Sequence, residues 1–203
     1  DQQRDKAVAQ LGGSPLSRLV AVSNRVSIPR RGTAPGGLTV GLLAAMRVRG
    51  GLWFGWSGET TDMPGPAETT RREGVTFATI DYSPEEFEEH YHGFCNGVLW
   101  PLFHYFLENF RYSEAQYDRY LAVNQRFARE LVPLLKPDDT IWVHDFHLLP
   151  LARMLREAGV RQRIGLFLHI PFPHVELLRV LPIYGELVRG MLDYDLLGFQ
   201  TAS

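Results

Sequence analysis

Apolar and polar positions alternate in short blocks along the whole chain. Arg18 to Val26 reads RLVAVSNRV, and Leu19 to Val22 is a continuous apolar run. Such a run suits a strand buried on both faces of a parallel sheet. A proline- and glycine-rich stretch, IPRRGTAPGG, follows it. Leu38 to Val48 carries Leu38, Leu42, Ala45 and Met46 at helical spacing and ends at Gly50-Gly51, which predicts a helix. Leu52 to Trp56 reads as the next strand, residues 61–74 as a loop, and Val75 to Ile80 as a further strand. Ser83-Pro84-Glu85-Glu86 combines a serine cap, a proline and first-turn acids, which predicts a helix start. Helical patterning continues to about Leu135, with a break expected near Pro101. Thr140 to His144 predicts a strand, Leu149 to Ala158 a helix, and Arg163 to Ile170 a segment containing a strand. Val175 to Leu192 reads as largely helical, and Leu196 to Phe199 starts another strand.

Strands alternating with helices from end to end predict an α/β fold: a Rossmann-like, doubly wound, mostly parallel sheet. Ligands of such sheets bind outside the carboxyl ends of the strands. The polar residues just after each strand therefore become candidates: Arg25, Trp56, Asp145 and His169.

Composition narrows the class. The 203 residues suit one large domain or one lobe of a two-lobed enzyme, and 45% hydrophobic with 22% charged residues is a globular balance. A net charge of -2, from 21 basic and 23 acidic residues, lacks the basic excess of a nucleic-acid binder. No apolar run reaches the length of a membrane helix, and Asp1 to Ser17 lacks the apolar core of a signal peptide and reads as a flexible extension. The single cysteine, Cys95, excludes an internal disulfide and a cysteine zinc cluster, and it fits a reducing, cytoplasmic setting.

Five segments carry candidate chemistry. Arg25, in Ser23-Asn24-Arg25, stands where an arginine can hold a phosphate through paired, charge-assisted hydrogen bonds; position alone fits a surface arginine as well. Gly36-Gly37 leads into a helix start, where bare backbone and unpaired N–H groups favour phosphate; an ordinary turn has the same look, and neither a Walker loop nor GxGxxG is present. Trp53, Trp56 and Trp100, with Tyr91, Phe94, Phe103, His104 and Tyr105, offer aromatic faces for sugars, although core packing accounts for about half or more of such residues. His144, Asp145 and His147 follow a buried strand and admit either sugar-hydroxyl binding by Asp145 or a metal site; strand alternation places His144 and Asp145 on opposite faces and weighs against metal. His169, before Ile170-Pro171-Phe172-Pro173, suits a hydrogen-bond donor to substrate or a buried structural histidine.

In order, the blocks RLVAVSNRV, GGLTVGLLAAM, GLWFGWSGE, YHGFCNGVLWPLFHY, VHDFHLLPLARMLR, FLHIPFPHVELLRVLP and LLGFQT closely resemble the trehalose-6-phosphate synthase family, glycosyltransferase family 20, over nearly all of Arg18 to Thr201. The resemblance implies the amino-terminal, acceptor-side lobe of a GT-B enzyme over residues 18–203, with a carboxyl-terminal nucleotide-binding lobe absent from the chain. It implies the UDP-forming alpha,alpha-trehalose-phosphate synthase reaction: glucose moves from UDP-glucose, or another NDP-glucose, to glucose 6-phosphate with retention. No metal or other cofactor, nucleic acid or membrane is implied, and a homo-oligomer is left open.

Residue by residue, the resemblance gives Arg25, Trp56, Tyr91, Trp100 and Asp145 to the acceptor, with Arg25 and Tyr91 on its phosphate. It gives Gly36, Gly37 and His169 to the donor, and Trp100 with Ile170 to anomer selectivity. Asp145 and His169 are the catalytic pair in the sense of orienting substrates: the acceptor hydroxyl attacks on the face the phosphate leaves, and that phosphate takes the proton. Positioning and leaving-group stabilisation then carry the rate. His174 stands where the family commonly has serine or threonine. Ser203 falls just after a strand, an odd place for a natural end. The alternatives are a glucosylglycerol-phosphate synthase, a pseudo-glycosyltransferase, or a non-catalytic sugar-phosphate-binding module.

Overall fold

The computed structural model describes residues 17–29 and 37–200. Gly36 and the extension up to Leu16 lie outside the described residues. Seven strands form one sheet: β1 (Leu19–Arg25), β2 (Gly51–Thr60), β3 (Glu68–Arg72), β4 (Val75–Tyr82), β5 (Thr140–His144), β6 (Arg163–Leu168) and β7 (Leu196–Phe199). Their spatial order is β3-β4-β2-β1-β5-β6-β7, and every pairing is parallel except β3 with β4. The doubly wound sheet expected from the alternation is therefore present. β1 lies in the middle, with β2 on one side and β5 on the other, so the chain reverses its direction of growth there. Crevices open at such switch points, beyond the carboxyl ends of the strands.

Both faces of β1 are covered, which is why its apolar run is continuous. Val20 and Val22 face the larger core, whereas Leu19 and Ala21 face a smaller one. The smaller core is closed by α1 (Gly37–Arg49) through Leu42, Leu43 and Met46. The larger one is closed by a π-helix (Glu86–Leu99) and by α2 (Trp100–Phe103), α3 (Glu114–Leu131) and α4 (Leu151–Glu157). Phe54 of β2 and Phe127 of α3 meet there edge to face, at 5.4 Å; fully burying one such ring contributes about 1.5–3 kcal/mol. Two short helices, α5 (Val175–Leu178) and α6 (Tyr184–Met191), precede β7.

The start at Ser83 forms as a reciprocal capping box. The Ser83 backbone N–H donates to Glu86 Oε2 at 2.8 Å, and the Glu86 N–H donates to Ser83 Oγ at 3.0 Å. Arg126 of α3 donates to the same Glu86 oxygen at 2.7 Å, tying the two helices together. The helix that follows has the wider π register rather than the α register. Its buried positions, His90, Phe94, Cys95, Val98 and Leu99, repeat as they would in an α-helix, so periodicity does not separate the two.

Three expectations are corrected. Residues 61–74 are not all loop: β3 pairs antiparallel with β4 through a two-residue turn at Glu73 and Gly74, both at positive φ, as hairpin turns require. All five β3 residues are exposed, so no apolar pattern announces the strand. The break near Pro101 comes later. Pro101 sits in the first turn of α2, where a missing N–H costs little, and the helix stops at His104 and Tyr105, the latter at φ 65°. Val175 to Leu192 splits into α5 and α6 around Pro182, which has no N–H to continue a helix.

Candidate active site

The segment Ser23-Asn24-Arg25 at the end of β1 is set by β2 and β4. The parallel register slips between Ser23 and Arg25, which pair with Gly55 and Trp56, so Asn24 is an inserted residue. Bulges of this kind re-aim side chains. A Cβ on Gly55 would lie 2.0 Å from the Ser23 carbonyl oxygen, so glycine is required at that approach. Each residue of the segment is then held by an aromatic. Trp53 Nε1 donates to Ser23 Oγ at 2.8 Å, and Ser23 Oγ donates to the Arg25 carbonyl at 2.8 Å. Tyr82 OH donates to Asn24 Oδ1 at 3.0 Å.

The Arg25 guanidinium lies 5.8 Å above the Trp56 ring centroid, a cation–π placement. Gly58, at φ 97°, also lies against it: a Cβ there would meet Arg25 Nε and a terminal nitrogen at 2.7 Å. Arg25 itself is exposed, and no carboxylate among the described residues is paired with it. Trp56 is only 4% exposed, and its indole N–H donates to the Glu59 carbonyl at 2.7 Å. It stacks flat on Tyr82 at 4.8 Å and touches Phe87 and Tyr91 at 5.5 Å. In this structure Trp56 is thus a platform beneath Arg25 and beside Tyr91. Half-buried Tyr91 projects from the π-helix and stacks on His147 at 6.0 Å; such helices occur often at functional sites.

Asp145 and His169 come from the ends of β5 and β6. Asp145 has φ 76° and ψ 172°, a region that side chains other than glycine enter at a cost of order 1–3 kcal/mol. Four hydrogen bonds hold it there. Its N–H donates to the Phe167 carbonyl at 2.8 Å, and its carbonyl accepts from Leu148 N–H at 3.3 Å. Its carboxylate accepts from the N–H groups of Phe146, at 3.1 Å, and His169, at 3.4 Å. Burial holds the carboxyl above the usual range, and these two N–H groups and nearby His104 oppose that shift. His169 Nε2 lies 3.1 Å from Nδ1 of His144.

Trp100 is 39% exposed and packs on His104 at 4.2 Å, whose Nδ1 lies 2.8 Å from the Trp100 carbonyl. Ile170 is half-buried against the larger core. Phe103 with Phe172, at 5.7 Å, and the His174 N–H donating to Tyr105 OH, at 3.0 Å, bring the two segments together. His174 also caps α5, its Nδ1 accepting from the Glu176 N–H at 3.4 Å. Gly37 opens α1, and the Gly36 assignment lies outside the described residues. Among the described residues no three His, Cys, Asp or Glu side chains are grouped to hold a metal, and no helix is long and apolar enough to cross a membrane.

Sequence reasoning missed Gly58 and, for two residues it named, the contact each makes. Gly58 is visible only as a small residue after Trp56. His104 looks like one more aromatic beside Trp100, yet it acts electrostatically on Asp145. His144 enters as a metal candidate, and its contact with His169 needs the pairing of β5 with β6.

The chain is similar to known proteins over most of its length. A trehalose-6-phosphate synthase of Klebsiella pneumoniae is 49% identical over 189 residues, which are 93% of this chain and 40% of that protein. A solved Escherichia coli chain bound with UDP-2-fluoro glucose superposes with a TM-score of 0.86 at 50% identity, over 91% of this chain and 40% of its own. A UDP-forming alpha,alpha-trehalose-phosphate synthase from Burkholderia xenovorans, in complex with glucose-6-phosphate, gives a TM-score of 0.83 at 47% identity, over 92% and 41%. The chain spans about two fifths of the length of the relatives it matches. The sheet is the Rossmann-like layer of a GT-B amino-terminal lobe, as the sequence resemblance implies. A profile of glycosyltransferase family 20 matches residues 22–203, and the chain belongs to that family.

Proposed function

We propose that residues 18–203 form the acceptor-side lobe of a retaining glucosyltransferase that moves glucose from UDP-glucose, or another NDP-glucose, to glucose 6-phosphate, giving alpha,alpha-trehalose 6-phosphate. The observation that carries this reading is Arg25: an exposed guanidinium at the central switch point, close to both the Trp56 ring and Gly58. An arginine without a carboxylate partner among the described residues, placed by its neighbours, suits a phosphate monoester. Tyr91, over the same platform, is its partner on the acceptor phosphate. Asp145, fixed across two strand ends, takes an acceptor hydroxyl, and His169 contacts the transferred glucose. Trp100 and Ile170 shape the pocket that selects the anomer, and Gly36 and Gly37 are assigned to the donor, Gly37 opening α1. The relatives solved with UDP-2-fluoro glucose and with glucose-6-phosphate support both ligand classes.

In this reading Asp145 and His169 orient substrates, and most of the nucleotide is held by the part of the relatives that this chain does not match. The setting is cytoplasmic. The test is titration calorimetry of the chain with glucose 6-phosphate, with glycerol 3-phosphate as the competing acceptor. Arg25→Ala removes a charge-assisted contact worth about 1.5–3 kcal/mol, so affinity falls by roughly 10- to 150-fold. Unchanged affinity sinks the phosphate assignment, and preference for glycerol 3-phosphate sinks the named acceptor. The chain alone forms no trehalose 6-phosphate; detecting it would reverse the view that leaving-group stabilisation comes from elsewhere.

A further inference from the structure

His144 is the buried residue that ends β5, 1% exposed, with its ring packed on Trp142 at 4.5 Å. His169 lies just past β6, with its ring on Phe167 at 4.7 Å. The register of β5 with β6 pairs His144 with Phe167, which brings the two imidazoles to 5.3 Å between centroids and 3.1 Å between His144 Nδ1 and His169 Nε2. The His169 backbone is pinned separately, its N–H donating to Asp145 Oδ1 at 3.4 Å.

Two neutral imidazole nitrogens at this distance share one proton: one is N–H and the other is a lone pair. The tautomers of the two rings are therefore tied together. A ring nitrogen engaged by a neighbour fixes which nitrogen on the opposite side carries the remaining proton. If Nδ1 of His144 donates, His169 Nε2 is the acceptor, and the His169 proton sits on Nδ1, on the ring edge away from His144. If the bond runs the other way, that edge shows a lone pair.

We propose that His144 is a positioning residue for His169: its Nδ1–H donates to His169 Nε2, holding His169 as the Nδ1–H tautomer with a hydrogen-bond donor on its outer edge. This rests on the reading that His169 meets the transferred sugar. A crevice that receives two phosphate-bearing ligands favours an N–H on that edge over a lone pair, because a lone pair repels the charge that develops as the phosphate leaves. His144 touches no substrate in this account. It does for His169 what a partner of a metal-bound or catalytic histidine does: it selects the tautomer and fixes the ring plane.

Nitrogen-15 spectra of the histidine-labelled 203-residue chain at pH 7.5, without ligand, read the tautomer directly, with His169→Gln identifying the His169 signals. The expected result is a protonated Nδ1 and a bare Nε2 on His169. His144→Phe, which keeps a ring but removes the donor, shifts His169 to the Nε2–H form that histidine prefers in water. His144→Asn places an amide N–H near the old Nδ1 position and restores the Nδ1–H form. An Nε2–H tautomer in the unaltered chain overturns the proposal, as does a tautomer indifferent to His144→Phe in a variant with a native backbone spectrum. Should His144→Phe not fold, the unaltered chain and His144→Asn still decide: both must show Nδ1–H. No sugar or nucleotide is used, so failure of the acceptor assignment would leave this result standing, and the reverse holds too.

Discussion

His90 makes the stability of this chain depend on pH in a way that can be calculated. Its ring is fully buried, stacked 5.6 Å from Tyr120 and edge-on to Tyr82 at the same distance. Burial, followed by the neighbouring His147, pushes its pKa well below the ordinary value. A depressed folded value means that the unfolded chain takes up the proton first. The stabilising contribution is complete above about pH 6.5, the unfolded value, and is lost as pH falls toward the folded value. Between pH 7 and pH 5 the unfolded imidazole goes from about one quarter to almost fully protonated, while the buried one takes up its proton later. Integrating the linkage over that interval sets an upper limit of about 2 kcal/mol on the loss from this one residue. His90→Phe keeps a ring in the stack and gives up a 3.5 Å contact with Tyr82 OH, whose bond to Asn24 remains, and the contacts of Cys95 Sγ with the two ring nitrogens at 3.8 and 3.9 Å. The variant therefore loses less than the parent between pH 7 and pH 5, by up to about 2 kcal/mol. His147, whose pKa burial pushes down to about 3, contributes to both curves and cancels in the difference. Urea unfolding at pH 7, 6 and 5, followed by far-UV circular dichroism, measures it. Parallel stability-versus-pH curves for the two proteins would refute the reasoning.

Asp145 gives the opposite sign. Its raised value means that the fold prefers the neutral acid, so its contribution is present below about pH 3.9 and is lost as pH rises through the folded value. Asp145→Asn, neutral throughout, should gain on the parent as pH is taken from 3 to 7, measured by the same unfolding series; a gap that does not widen contradicts the burial argument. Gly58→Ala places a methyl 2.7 Å from the Arg25 guanidinium at a positive φ. It should weaken glucose 6-phosphate binding by roughly tenfold, about 1.4 kcal/mol, and add little when Arg25→Ala is already present. Full additivity in calorimetry would show that the two residues do not share one site.

The central strands were legible because a parallel strand covered on both faces is apolar along its middle, as Leu19–Val22 and Ile141–Val143 are; the edge strand Leu196–Phe199 is only partly buried, yet it has the limits its apolar pattern predicts. β3 was not legible for the same reason: with all its residues exposed, only backbone bonds to β4 define it. The positions of Arg25, Asp145 and His169 followed from strand ends. Their local geometry did not, because it depends on contacts between strands that no sequence window contains: Trp56 under Arg25, and the Phe167 carbonyl on the Asp145 N–H. Trp56 shows the difference plainly. Its motif suggests contact with the sugar, yet its indole N–H is already bonded within its own strand and its faces are covered by neighbours.

Site residues more than a hundred positions apart come to neighbouring strand ends, with Ser23 opposite His144, because the sheet reverses its direction of growth at β1. Adding β2 on one side and β5 on the other leaves three consecutive parallel ends, and each ends in a defect: the inserted Asn24, the positive φ of Gly58 and the strained Asp145. A regular strand would carry its last side chain into one of the two cores, as Val20 and Ala21 do. Only a departure from the regular path turns Arg25 out of the sheet, or lets the Asp145 carboxylate reach back to the N–H of His169 on the next strand. The strain at Asp145, about 1–3 kcal/mol, is small beside the stabilisation from the cores beneath it. The continuous apolar runs that made the strands easy to read are thus also what permits the irregular ends that build the site.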